Sequence, residues 1–465
     1  MPELNNPKTI RAWCMYDWAN SVYNLCITTA IFPIYYNAVS RSAAITRGAD
    51  PAWEHYDVSI WGWEVSSAAA YSYTLSIAYL IVALISPLLS GMADFGGYKK
   101  RMLAAFATLG SVSCALMYFF TSENIEYGLS MFLFAAIGWA GSIIFYNSFL
   151  PEIATEDRFD EISARGFAYG YAGSVLLLIA NLVMIMFPEL LFDVSGKVDD
   201  LIAAGMESTA ATDDALSYYK GMSTRYAFIT VGIWWLGFSQ LTLRRLPSEQ
   251  ALGKINGDLF KKGYRELKKV FLELQTQPKL KRYLLAFFFI SAGLQTTMYL
   301  ASIFGAEELQ LSTDKLIITI LLIQLIAIGG AFAFSKLSER FGNIYTLLGG
   351  TVIWVLICLA AATMVSTEYH FYVLAAIVGT VMGGMQALMR STYAKLIPDA
   401  TLNHASYFSF YDVTEKLAIV FGTFAFGYII VLTGSMRNSA FALAAFFIVG
   451  LLVLRTIRNF KIHIG

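Results

Sequence analysis

Twelve apolar runs divide this chain, at about 10–39, 66–92, 99–121, 125–149, 163–188, 222–247, 280–305, 313–336, 343–365, 370–393, 404–432 and 437–460. Most reach or exceed the roughly 20 residues that carry a helix across a bilayer. Backbone in lipid must satisfy its own hydrogen bonds, so runs of this length predict helices and exclude strands. The expected fold class is an all-α membrane protein of twelve transmembrane helices.

The polar segments between the runs orient the chain. Seven basic residues (Arg41, Arg47, Lys197, Lys220, Arg225, Lys315 and Arg437) fall on one side, and Lys416 lies within a span. The rest of the 33 lysines and arginines fall on the side of the two termini. Basic residues collect in cytoplasmic segments, so both termini are expected in the cytoplasm. Two outer segments are long. Residues 40–65 carry Trp53, Trp61 and Trp63, which suit the bilayer interface, and residues 189–221 are acidic and polar and are expected to be partly disordered. Segment 248–279 separates two sets of six spans. Its Phe260, Tyr264, Leu267, Phe271 and Leu274 recur at helical spacing among lysines and arginines, as in an amphipathic helix lying on the inner leaflet. The expected organisation is therefore 1–247, a linker at 248–279, and 280–465.

The most informative polar turn follows the second run. Gly91 permits close helix approach; Asp94, Gly96 and Gly97 follow, then Lys99, Lys100 and Arg101. A weaker copy, Glu339-Arg-Phe-Gly342, follows the eighth run, with Lys336 where the first copy has Gly91. Leu150-Pro-Glu152 after the fourth run is matched by Ile397-Pro-Asp399 after the tenth. Equivalent signals after equivalent spans predict two pseudo-symmetric six-helix bundles with a central site at their interface. Gly91, Asp94, Gly97, Arg101, Glu152, Arg165, Glu339 and Gly342 are the expected gating positions, and Asp94 is expected to hold the inner gate closed near helix ends whose dipoles it can meet.

Polar residues inside spans face protein or a water-filled cavity. In the first span Asp17, Asn20, Asn24 and Thr28 are offset by 3, 7 and 11 and share one face. Ser291, Gln295, Tyr299 and Ser302 repeat the device in the seventh. The tenth carries Gly379, Gly383, Gln386 and Arg390 on one face; Gln324 lies midway along the eighth, and Asn181, Arg165 and Tyr169 lie in the fifth. These patterns fit cavity lining or interhelical hydrogen bonding. Gln295 and Asn24, halfway along their spans, are expected to touch substrate, with Asp17 the preferred group for protonation. Asp412, Glu415 and Lys416 in the eleventh span, with Ser409 and Thr423 nearby, form either a fixed ion pair or a switchable one. In the switchable arrangement Arg390 partners Glu415, and Asp17 competes for Lys416. Tyr71, Tyr73, Tyr407 and Tyr411 are further cavity candidates.

Composition narrows the function classes. With 57% hydrophobic and 14% charged residues and zero net charge, the chain offers no basic surface for nucleic acid. Cys14, Cys26, Cys114 and Cys358 fall inside apolar runs without a CxxC pair, and His55, His370, His404 and His463 are scattered. Neither a catalytic nor a nucleotide-binding signature is present. No enzyme activity, cofactor, metal or nucleic-acid partner is expected. The first run, with Asp17 and Asn20 inside it, is too long for a signal peptide and is expected to be a retained span.

Several blocks in order resemble one family. Tyr16-Asp-Trp-Ala-Asn-Ser21 with Thr29-Ala-Ile-Phe-Pro33, Tyr146-Asn-Ser-Phe-Leu-Pro-Glu152 with Ile162-Ser-Ala-Arg-Gly166 and Gly170-Tyr171, and Gly383-Gly-Met-Gln-Ala-Leu-Met-Arg-Ser391 with Leu396-Ile-Pro398, Phe410-Tyr-Asp412 and Lys416 look like the autophagy-related vacuolar amino-acid effluxers and their bacterial relatives. The turn at 86–101 resembles the loop between helices 2 and 3 of the major facilitator superfamily. The resemblance covers nearly the whole chain. It departs at Met389, usually serine, at Glu415, usually glycine, and at Gly422-Thr423, usually Gly-Pro. It implies a major facilitator fold and export of a small solute, with neutral amino acids the characterised example. The expected protein is a secondary transporter in a bacterial inner membrane, working as a monomer by alternating access with possible proton coupling. A receptor or sensor on the same fold is the alternative.

Overall fold

The computed structural model describes residues 3–50, 56–60, 62–248, 257–398, 401–433 and 436–457. Trp53, His55, Trp61, Asp399 and His463, and the side chains of Phe260, Tyr299 and Ser302, lie outside the described part. Helix α1 (Pro7–Val22) starts where Asn6 accepts from the backbone N–H of Lys8 and Thr9, with Pro7 in its first turn. It continues through a π-helical stretch, Tyr23–Ile31, into α2 (Phe32–Thr46). The remaining spans are α3 (Ser67–Gly96), α4 (Lys99–Leu116), α5 (Ile125–Ser148), α7 (Phe159–Met186), α9 (Ser208–Arg245), α11 (Pro278–Leu309), α12 (Thr313–Phe341), α13 (Asn343–Thr363), α14 (Glu368–Leu396), α15 (His404–Thr433) and α16 (Met436–Arg455). Short α6 (Leu150–Ile153) and α8 (Val194–Ala203), and the linker helix α10 (Gly257–Thr276), complete the set. Among the described residues ten helices are long and apolar enough to cross a membrane. The interrupted first helix and α11 bring each half to six.

Two long segments between spans differ from their sequence reading. The 40–65 segment holds the end of α2 and an antiparallel hairpin of β1 (Asp57–Ile60) and β2 (Trp63–Ser66), paired Asp57 to Ser66 through Ile60 to Trp63, with Gly62 at positive φ in the turn. Residues 189–221 are not an irregular loop. They form α8 and the first turns of α9, whose 38 residues outrun the bilayer.

Glycines set the closest helix approaches. A Cβ at Gly166, Gly170 or Gly173 of α7 would fall within 3 Å of Asp17, Ser21 or Trp18 of α1. Gly379 and Gly383 of α14 likewise lie against the backbone of Ile323 and Ala327 in α12. Gly97 ends α3 in the left-handed region, at φ 70°.

Helix α10 also seats on a glycine pair, and its apolar face meets protein where the sequence places it on lipid. Gly263 crosses Gly91 so closely that a Cβ at Gly91 would sit 2.3 Å from the Gly263 carbonyl oxygen. Val270 and Leu274 are buried on the same face, whereas Tyr264 and Phe271 are exposed. Glu273 accepts from the Tyr407 hydroxyl at 3.1 Å and Glu266 from Asn403 at 3.4 Å, while Lys262 lies over the Phe95 ring. A Gly91→Val variant is expected to lift α10 off α3, at a cost of about 1–3 kcal/mol for overpacking. Faster tryptic cleavage at Lys261 and Lys262 and a lower melting temperature would show it; an unchanged digest would refute the docking.

Candidate functional site

A polar cavity with two contiguous lobes lies between the halves, midway along the spans. Asn24, Tyr171, Gln295, Gln324 and Gln386 line both lobes, and such convergent polar groups fix the orientation of a small solute. The residues come from the π-helical stretch, α7, α11, α12 and α14, so both halves contribute. Tyr171 donates to Gln386 Oε1 at 2.6 Å and Gln295 donates to Glu415 Oε1 at 3.0 Å. The Gln324 Oε1 atom is buried without a hydrogen-bond partner. One lobe also reaches Asp17, Asn20, Arg390, Tyr411, Glu415 and Lys416.

Asp17 and Arg390 meet across the two halves at the floor of this cavity. Asp17 Oδ2 lies 3.2 Å from both Nη1 and Nη2 of Arg390 and accepts from the Tyr146 hydroxyl at 2.7 Å. Arg390 donates further from Nε to Ser163 Oγ (3.0 Å), from Nη2 to the Ser163 carbonyl (2.9 Å) and from Nη1 to Asn147 (3.3 Å). Its guanidinium lies 4.2 Å from the Phe167 ring centroid and 4.7 Å from that of Trp13. The side chains are only 4% and 7% exposed. A buried pair is tolerable because its remaining donors are filled in this way and the ring faces suit the cation. Gly166 makes the room: a Cβ there would sit 2.5 Å from Asp17 Oδ2.

Two more carboxylates join the halves nearer the end that carries the termini. Asp94 caps α15 from the opposite half: it accepts from the backbone N–H of Ala405 (3.1 Å) and Ser406 (2.7 Å) and from the Ser406 hydroxyl (2.8 Å). Those N–H groups have no partner inside the helix, and the helix dipole favours an anion there. Lys99, fully buried, pairs with Glu152 and lies 3.7 Å from Asp94. Asp160, at the start of α7, accepts from Ser338, Asn343 and Lys395, at 2.9, 2.8 and 2.7 Å. Ala164, Ala331 and Ala387 pack together beside it.

On α15, Lys416 Nζ lies 3.2 Å from both Asp412 Oδ1 and Glu415 Oε2 and sits over the rings of Tyr79 and Trp139 from the other half.

Several sequence expectations are corrected. Arg390 partners Asp17, not Glu415, because α14 faces α1 and α7 at this level; Lys416 keeps both acidic neighbours in this arrangement. Thr28 is buried off the cavity, its carbonyl accepting from Tyr71, and Thr29 lines the cavity in its place. The π-helical stretch adds residues to each turn and rotates the stripe beyond Asn24. Tyr73 is exposed, Tyr407 bonds to Glu273, and Asn181 accepts from Thr230 within the first half. Arg165 pairs with Glu161 one turn away, Arg101 lies over Tyr98, and Glu339 is exposed, so none of the three ties the halves. The second loop meets the first half through Ser338, before Gly342 at φ 83°, and through Asn343, just after it.

The sequence reading does not single out Tyr146, Asn147, Asp160, Ser163, Gly166 and Tyr171 as site residues. A signal is present in α7, where Asp160, Ser163, Gly166, Gly170, Tyr171 and Ser174 recur at helical spacing as a small and polar stripe. Among the described residues no group of three or more His, Cys, Asp or Glu is placed to hold a metal ion.

Replacing Asp17 by Asn leaves Arg390 buried without its counter-charge and is expected to destabilise the fold by about 3–5 kcal/mol. The double change Asp17→Asn with Arg390→Gln is expected to recover most of it. Thermal unfolding in detergent measures both, and a single variant as stable as the parent would contradict the pair's role. Asp94→Asn weakens the cap on α15 by about 0.5–2 kcal/mol. A cysteine introduced at the buried Ala331 is then expected to react faster with a maleimide; an unchanged rate would show that Asp94 does not hold this end shut.

Comparison with known proteins places this architecture. The chain is 29% identical over 447 residues to the uncharacterized MFS-type transporter YxiO of Bacillus subtilis, covering 96% of this chain and 94% of the relative. It is 26% identical over 506 residues to autophagy-related protein 22 of Pyricularia oryzae, covering 94% and 74%. Among solved structures, a variant of the E. coli fucose:proton symporter FucP superposes with a TM-score of 0.62 at 14% identity, over 97% of this chain and 98% of that one. The proton:xylose symporter XylE gives 0.61 at 12% identity, over 97% and 95%. These two likenesses show the major facilitator fold. The family model described as "Vacuole effluxer Atg22 like" matches residues 5–461, and the chain belongs to that family of multi-pass membrane transporters.

Proposed function

We propose that this protein is a secondary active transporter that exports a small polar solute, of the size and chemistry of a neutral amino acid, by alternating access. The observation that carries the reading is the cavity itself. Neutral hydrogen-bonding groups from both halves, Asn24 and Tyr171 on one side and Gln295, Gln324 and Gln386 on the other, converge at mid-membrane. Uncharged donors and acceptors suit a solute that is zwitterionic or polar without net charge. The vacant Gln324 acceptor suits an N–H or O–H of such a solute.

The distribution of basic residues supports cytoplasmic termini and insertion in a bacterial inner membrane. On that orientation, Asp94 at α15, Asp160 at Ser338, Asn343 and Lys395, and Asp17 at Arg390 close the cytoplasmic side. Each of these contacts breaks when the halves rock apart, so this arrangement is one end state of the cycle. The six-helix halves at 1–247 and 280–465, joined by 248–279, are the rigid units of that motion. Gly97 and Gly342 shape the turns beside the gate, and Lys99 and Glu152 pair next to Asp94.

Counterflow of radiolabelled neutral amino acids into proteoliposomes tests the reading. Asn24→Ala and Gln295→Ala are each expected to lower counterflow about tenfold, the equivalent of one or two lost hydrogen bonds, with the melting temperature nearly unchanged. Parent-like counterflow in both variants would place the site elsewhere. Absence of flux for every amino acid, peptide and sugar tried would favour a receptor on the same fold.

A further inference from the structure

The cavity region carries three carboxylates, on Asp17, Asp412 and Glu415, and two cations, on Arg390 and Lys416. Asp17 and Arg390 satisfy each other, so Lys416 alone faces both Asp412 and Glu415, at 3.2 Å from each. Glu415 is additionally bonded to Gln295 and is part of the cavity wall. Asp412 differs. It is 2% exposed, it is not part of the cavity lining, and neither of its carboxylate oxygens is in hydrogen-bond geometry with any group.

Its surroundings are short of partners in the same way. Helices α3 and α15 pack antiparallel across the interface of the halves. Asp94 at Ser406 fixes one end of their register and Tyr79 beside Lys416 fixes the other. Counting antiparallel between these anchors puts Ser86 and Ser90 on the stretch of α3 that runs past Ser409 and Asp412. Ser86 and Ser90 are 3% and 0% exposed, and both hydroxyls lack a hydrogen-bond partner. A buried carboxylate whose cation, Lys416, is shared with Glu415 thus lies at the interface of the halves, in a region one negative charge in surplus.

We propose that Asp412 carries the coupling proton, bound while the cytoplasmic side is closed and released when the halves part there. The proposal rests on the transport reading above. A proton arriving from outer water through the cavity converts the carboxylate to a carboxylic acid. It removes the surplus charge from the buried interface. When the α3–α15 interface opens, water reaches the group and the proton leaves to the cytoplasm. Of the groups facing Asp412, Glu415 is the competing proton acceptor, and Gln295 already donates a hydrogen bond to it. On α15 these are Glu415 and Lys416; α3 presents Tyr79 and, a few turns away, Asp94, which caps α15. Helix α5 presents the uncharged Trp139, and α11 presents neutral Gln295 and Tyr283, whose hydroxyl donates to Met389. Glu273 of α10 holds Tyr407, Arg437 of α16 pairs with Glu308, and Arg390 of α14 holds Asp17.

The test reads conformation without a solute. Full-length protein carrying Ala331→Cys, in sodium-free buffer, is reacted with a maleimide between pH 5.5 and 8.5; the protein without this substitution, whose four cysteines are buried, gives the background. Protonation stabilises the closed state, so labelling is expected to slow as pH falls, by about tenfold per pH unit across the transition if one proton is linked. Asp412→Asn, a mimic of the protonated group, is expected to label slowly at every pH, and Asp412→Glu to restore the dependence; circular dichroism and melting confirm that both are folded. A folded Asp412→Asn that keeps the parent's pH dependence would overturn the proposal. So would loss of the dependence in Glu415→Gln but not in Asp412→Asn, or a pH-independent parent. Slowed labelling on adding sodium at fixed pH would assign the site to that cation and also overturn it. None of these outcomes bears on counterflow, which stands or falls separately.

Discussion

The buried pair of Asp17 and Arg390 is the contact on which the arrangement of the two halves turns. Bringing both charges into the bundle is costly unless each is matched and hydrogen-bonded. Tyr146, Asn147 and Ser163 complete the bonding, and Trp13 and Phe167 supply ring faces to the guanidinium. These groups come from α1, α5, α7 and α14, so one polar knot sets the spacing of four helices. The glycines follow from it: Gly166 has no side chain because Asp17 and Arg390 occupy that space. The knot also forms the floor of the cavity, so the same residues set its depth.

Closure nearer the termini uses a different device. Asp94 finishes the N-terminus of a helix in the other half, where N–H groups lack partners in the helix itself. Asp160 plays a related part with Ser338, Asn343 and Lys395. The two carboxylates both belong to the first half, and both meet polar groups at helix ends of the second. Contacts of this kind can exchange their partners for water, which accords with the alternating access proposed above. Helix α10 adds a clamp over the same end, seated on the crossing of Gly91 and Gly263.

The π-helical stretch Tyr23–Ile31 is where backbone geometry alters the cavity wall most directly. It lies in the first span at the level of the cavity, leaves Asn24 on the cavity wall, and turns Thr29 inward in place of Thr28. Regular helical spacing cannot anticipate that rotation, because the wider turn changes the period of the stripe partway along it.

Read alone, the chain's apolar run lengths determined the all-helical class and most of the span positions, because the thickness of a bilayer leaves few alternatives. The blocks from Tyr16, Tyr146 and Gly383 onward carried the family, and the polar positions Asn24, Gln295, Gln324 and Gln386 were legible because polar side chains in a span need a protein or water neighbour. Pairing was not legible. Helical spacing shows which residues share a face, but not which helix that face meets, so it offers Glu415 to Arg390 when the counter-charge is Asp17, 373 residues away. The same limit places the apolar side of α10 on lipid, whereas Gly263 and Val270 pack it on protein. It also passes over Asp160, whose partners lie on three helices of the other half. Local chemistry decides what each segment can be; the packing of distant segments decides which charges meet, because electrostatic matching acts through space and not along the chain.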